Sequence, residues 1–118
     1  MILIVASNPE LSGVWARHLE RHGHVVVQSF SQAEAVANLQ WHEVDTLVLD
    51  LMLQDGSALA VADYASYRRP SARVVFVTNS TFFSDGSIFN HTQNTVAFLH
   101  DTTPPNDLAA IVDYHGRA

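Results

Sequence analysis

Thr46-Leu47-Val48-Leu49-Asp50-Leu51-Met52-Leu53-Gln54-Asp55-Gly56-Ser57 compresses a strand, a carboxylate and a helix start into one short stretch. The run Thr46 to Leu49 is continuously apolar or β-branched instead of alternating, the pattern of a strand covered on both faces, as in a parallel sheet. Asp50 then puts a carboxylate where that strand opens into a loop, which is where open α/β sheets carry their chemistry. Ser57 follows as the N-cap of a helix bearing Leu59, Val61, Ala62 and Tyr64. Arg68-Arg69-Pro70 closes it, with cations at the helix end and a proline breaker.

Four further runs of the same kind flank this one: Ile2 to Val5, Val25 to Gln28, Arg73 to Val77 and Thr95 to Leu99. Helical segments fit between them. Asn8 caps a helix with Pro9 at its first position, Leu11, Val14, Trp15 and Leu19 at helical spacing, and Gly23 past its end. Ser31-Gln32-Ala33-Glu34 matches the capping box, and Val36 and Leu39 supply the apolar face behind it. Thr103-Pro104-Pro105 opens a last helix with Leu108, Ile111 and Val112 facing inward and Gly116 at its end. Between Asn79 and Asn94 there is no clean period, and a short or irregular fourth helix is expected after Ser84. The order is strand then helix, five times, which predicts an α/β, three-layer doubly wound fold with a five-stranded parallel sheet.

The chain has 118 residues, 47% of them apolar, enough for one core, so residues 1–118 are expected to form a single domain. A net charge of -6 with scattered basic residues predicts neither nucleic-acid nor membrane binding. All six basic residues are arginine (Arg17, Arg21, Arg68, Arg69, Arg73, Arg117), so Schiff-base chemistry and a P-loop lysine are excluded. The five glycines are dispersed, and cysteine is absent, which removes disulfides, a thiolate nucleophile and Cys-ligated zinc. The opening Met1-Ile2-Leu3-Ile4-Val5 has no basic flank and breaks at Ala6-Ser7-Asn8, too short for a signal peptide or a membrane span. A cytoplasmic location is expected.

With these residues in place, the whole chain resembles a bacterial response-regulator receiver domain of the CheY-like family. The resemblance rests on Asp50-Leu51-Met52-Leu53-Gln54-Asp55-Gly56-Ser57, which is similar to the family's Asp-Leu-x-Leu-Pro-Asp-Gly-x-Gly, with Gln54 for proline and Ala58 for the last glycine. It implies the strand order 2-1-3-4-5, Asp50 as phosphoacceptor, Thr78 as the hydroxyl that contacts the phosphoryl group, and Phe98 as the switch aromatic. The departures surround Asp50. The acidic pair that holds Mg²⁺ is replaced by Ala6 and Ser7, and the lysine after the fifth strand is replaced by Asp101. One carboxylate among neutral neighbours holds a hard cation weakly, and an anion in place of a cation repels an acyl phosphate.

The expectation is therefore an atypical or pseudo-receiver of a two-component or phosphorelay system. It is not an enzyme, takes no cofactor and at most weak Mg²⁺, and acts through protein partners such as a histidine kinase or an output protein. Homodimerisation is left open. A second function is a phosphorelay receiver still phosphorylated on Asp50, with a rearranged cation site using Asp101 and Asp55. A third is a flavodoxin-like cofactor binder, which shares the strand order.

Other residues carry bland expectations. His18 and His22 share a helix face with His24 nearby, but no third ligand stands at motif spacing, and a solvated face is expected. His42, His91 and His115 are isolated, and His100 alone falls at the expected active rim. Ser7 and Ser57 lack a Gly-x-Ser-x-Gly elbow. Trp15 and Trp41 are expected to pack. Phe82, Phe83, Ile88 and Phe89 either join the core or form an interaction patch.

Overall fold

The computed structural model describes residues 1–78 and 95–116. Five parallel strands, β1 (Ile2–Val5), β2 (Val26–Ser29), β3 (Thr46–Asp50), β4 (Arg73–Thr78) and β5 (Thr95–His100), form one sheet in the order β2-β1-β3-β4-β5. Four helices are described: α1 (Pro9–Arg21), α2 (Gln32–Trp41), α3 (Ala58–Arg68) and α4 (Pro105–Gly116). The last is the helix expected after Thr103-Pro104. The irregular helix expected after Ser84, with Phe82, Phe83, Ile88 and Phe89, lies outside the described residues.

Side-chain alternation along the central strands builds two cores from one sheet. Leu3, Val5, Leu47, Leu49, Val74 and Phe76 face one way and meet Leu39 of α2 and Val61, Ala62 and Ala65 of α3. Ile2, Ile4, Val48, Val75 and Val77 face the other way and meet Trp15 and Leu19 of α1 and Leu108 and Val112 of α4. Because both faces are covered, β1, β3 and β4 are apolar at almost every position, which is why their runs read as continuous.

The caps fall where the sequence puts them. The Asn8 side chain accepts hydrogen bonds from the backbone N–H of Glu10 (3.0 Å) and Leu11 (3.3 Å). Ser31 Oγ accepts from Glu34 N at 3.2 Å, but the Glu34 carboxylate accepts from Phe30 N instead of closing the box on Ser31. Ser57 Oγ accepts from Ala60 N.

Two expectations, for β2 and for Trp41, are corrected. β2 begins at Val26 and ends at Ser29, is only partly buried, and leaves Val25 70% exposed, because an edge strand has one neighbour and a narrower cover. Trp41 is 75% exposed, whereas Trp15 is 1% exposed. Trp41 ends its helix beyond the last core position, Leu39. Leu59 is also exposed, one position off the buried stripe of α3. Helix α3 ends at Arg68 with Arg69 as its C-cap, as expected, and the two arginines also serve α2: Arg69 Nε donates to Leu39 O at 3.1 Å, and Arg68 Nη2 donates to Gln40 O at 3.1 Å. They satisfy the last carbonyls of the neighbouring helix and tie the two helix ends together.

Candidate functional site

At the carboxyl edge of the sheet, the loops after β1, β3 and β5 surround a cavity of about 220 Å³ lined by Ser7, Asn8, Leu11, Asp50, Met52, Gln54 and Asp101. Parallel register delivers these residues together. Val5 aligns with Leu49 and Asp50 with Val77, so three strands end at one level. The backbone then locks the loops: Leu51 N donates to Val77 O, and Asp101 N donates to Thr78 O, each at 2.8 Å.

Asp50 is partly buried. Its Oδ1 accepts from Met52 N at 2.8 Å. Burial raises its pKa above the ordinary carboxylate range, and the charge of Asp101 adds to the rise against the lowering by the Met52 N–H. Folding therefore favours the protonated form of this carboxyl, and stability falls as pH climbs from the unfolded value through the raised one. Asp50→Asn, which keeps an oxygen for Met52 N–H, is expected to melt at a higher temperature than the parent at pH 7. That advantage is expected to shrink as pH falls toward 3.8, and an equal or lower melting temperature at pH 7 would contradict the shift.

Ser7 lines the cavity, but its Oγ already accepts from Gln54 N at 2.8 Å, fastening the β1 and β3 loops together. Ala6 is fully buried and offers only a methyl group. Asp101 Oδ1 lies 3.1 Å from His100 Nδ1. That nitrogen accepts from Thr102 N at 3.2 Å and also meets Thr102 Oγ1 at 2.8 Å.

Thr78 is buried at the end of β4 and Phe98 is partly buried, its ring centroid 5.8 Å from that of Phe76 on the α2–α3 face. Neither lines the cavity. Asp55, weighed as a third carboxylate, lines a different groove beside α2. Among the described residues no group of three His, Cys, Asp or Glu side chains is placed to hold a metal ion. His18 Nδ1 meets Val14 O at 2.9 Å, and His24 Nε2 meets Asp113 Oδ1 at 3.1 Å, so the two point to different partners.

The donor set fits Mg²⁺ poorly. The β1 end contributes a methyl group and a hydroxyl already engaged as an acceptor, and Oδ1 of Asp50 already accepts from Met52 N. Sequence reasoning identified Ser7, Asp50 and Asp101. It missed Asn8, Leu11, Met52 and Gln54, of which Gln54 carried the clearest signal, because it stands where the resembled motif has proline and brings the N–H that Ser7 accepts.

No family model matches the chain. The photosynthetic apparatus regulatory protein RegA of Cereibacter sphaeroides is 33% identical over 78 residues, 66% of this chain and 42% of RegA, so the chain matches less than half of that relative's length. A CheY-like response-regulator receiver domain from Methanospirillum hungatei superposes with a TM-score of 0.88 at 20% identity, covering 98% of this chain and 92% of that one. A Burkholderia pseudomallei response regulator, solved with a phosphorylated aspartic acid and a calcium ion, gives 0.84 at 20% identity, covering 98% and 68%. Among the described residues no helix is long and apolar enough to cross a membrane. With its strand order, its two-faced core and these superpositions over nearly its full length, the chain has the CheY-like fold of the response-regulator receiver domains.

Proposed function

We propose that residues 1–118 form a single receiver-like domain of two-component or phosphorelay signalling that has lost metal-dependent phosphorylation and works through protein contacts. One observation carries this. Around Asp50, the positions that should supply metal ligands and a cation hold Ala6, Ser7 and Asp101. Phosphoryl transfer asks a protein for positioning and for neutralisation of charge on the phosphoryl oxygens. This pocket offers a second negative charge instead. The domain catalyses no reaction of its own, and its partners are a histidine kinase or an output protein met in the cytoplasm.

Incubation with acetyl phosphate and Mg²⁺, followed by intact mass, is expected to leave the protein unchanged. A stable gain of one phosphoryl group that disappears in Asp50→Asn would overturn the proposal. It would favour the second function, a phosphorelay receiver with a rearranged cation site, for which the shared cavity of Asp50 and Asp101 is the supporting observation. In that case the rate must climb steeply with Mg²⁺ or Mn²⁺.

A further inference from the structure

On the face of the sheet that carries α2 and α3 lies an open depression in two parts that share Gln40. Its upper part, about 820 Å³, lies along α2 from the β3–α3 loop to Gln40, and its lower part, about 440 Å³, is lined by Gln40, Tyr64, Tyr67 and Arg68. Val36, Ala37 and Gln40 lie along one side of α2 at spacings of three and four, while Ala35 and Leu39 turn to the core. The α3 wall is aromatic. The rings of Tyr64 and Tyr67 stand 6.3 Å apart and tilted, and Tyr67 is 84% exposed. The exposed Trp41 follows Gln40 directly.

Tryptophan, tyrosine and arginine together are the residues that dominate binding hot spots. Tyrosine gives contact area at little conformational cost and keeps a hydroxyl for hydrogen bonding. Charge sets a direction. Asp55 lines the upper end and Arg68 the lower, and the Arg68 bond to Gln40 O uses one of its five guanidinium donors. The groove follows α2 from Ala33 to Gln40, about 10 Å at the helical rise, a length that roughly three or four extended residues span.

The occupant follows from this polarity. Nucleic acid is disfavoured by the net charge of -6 and a single cation in the groove. A second copy would bring one concave face against another, and neither fills the other. We propose that the α2–α3 groove docks a short extended segment of a protein partner, with a basic residue at Asp55, apolar residues along Ala37 and Tyr67, and an acidic residue at Arg68. This surface does not depend on the chemistry of Asp50. The phosphorylation test and the docking test can therefore fail separately.

The test is selection of a phage-displayed random peptide library on the full chain, followed by binding measurements on synthetic versions of the recovered peptides. The peptides are expected to share the order basic, apolar, acidic and to bind Tyr67→Ala at least ~10-fold more weakly, the equivalent of about 1.4 kcal/mol. Because Tyr67 is exposed, that variant should melt with the parent, which separates lost contact from lost fold. A peptide with its acidic residue changed to lysine is expected to bind Arg68→Glu more tightly than it binds the parent. Recovery of no peptide, of peptides without that order, or of peptides indifferent to Tyr67→Ala would overturn the proposal. So would a concentration-dependent dimer dissolved by Tyr67→Ala, which would assign the face to a second copy.

Discussion

The triple variant Ala6→Asp, Ser7→Asp, Asp101→Lys is expected to accept a phosphoryl group on Asp50 from acetyl phosphate and Mg²⁺ at least roughly a hundredfold faster than the parent. The magnitude follows from comparison with a single lost oxyanion-hole donor, about 3 kcal/mol or two orders of magnitude in rate. The substitutions adjoin one pocket and are not additive, so a hundredfold is a floor set by one restored interaction and not the product of three. The variant brings its own control. Ala6 is fully buried, so a carboxylate introduced there is costly unless a cation neutralises it. A ligand that binds only the folded state stabilises it in proportion to the logarithm of its concentration, so the melting temperature of the variant should climb with Mg²⁺ while that of the parent stays level. Intact mass with time and thermal melts against Mg²⁺ read the two effects independently. A variant that Mg²⁺ stabilises but that gains no phosphoryl mass would show that restoring charge to the pocket is not enough for transfer to Asp50. A parent that is phosphorylated as fast as the variant would show that transfer to Asp50 needs none of these three charges.

The fold was legible because its information is local. Leu47 to Leu49 is apolar at each position because Val48 faces α1 and α4 while Leu47 and Leu49 face α2 and α3, and no tertiary knowledge is needed to see that. Asn8 and Ser57 cap their helices through backbone groups two or three residues away, a distance that motif reading covers. The features that escaped are those whose partner is remote in sequence. Arg68 and Arg69 look like the end of their own helix, yet they bond carbonyls of α2 some 30 residues earlier. Val26 and Val27 read like residues of a covered strand, and the edge position of β2, a property of the assembled sheet, leaves them only partly buried. At the site, the three departures at Ala6, Ser7 and Asp101 could be read position by position. That the Ser7 hydroxyl is already engaged by Gln54 N depends on loops meeting in space.

The two tryptophans give that distinction a measurable form. Trp15→Ala is expected to cost about 3–5 kcal/mol, the range for removing a large aromatic side chain from a packed core. Trp15 is 1% exposed and packs among Ile4, Leu19, Val48 and Leu108, where α1, the sheet and α4 meet, so neighbours held by three elements cannot all close the void. Against a total stability of about 5–15 kcal/mol for a domain of this kind, such a loss leaves little margin. With a urea slope near 2 kcal/mol per molar, the unfolding midpoint should fall by roughly 2 M. Trp41→Ala, at a position 75% exposed, should change stability by no more than about 0.5 kcal/mol. Fluorescence assigns the same contrast without denaturant. The parent should show a buried and a solvated component, Trp41→Ala should keep only the blue-shifted one, and Trp15→Ala only the red-shifted one. Equal costs at the two sites, or two solvated emissions, would mean that α1 does not close the sheet through Trp15. The β1–α1 loop that sets Ser7 and Asn8 at the rim of the Asp50 cavity would then lose part of its support, because α1 begins immediately after Asn8 and Trp15 is the largest of the side chains, with Ser12, Ala16 and Leu19, that it buries.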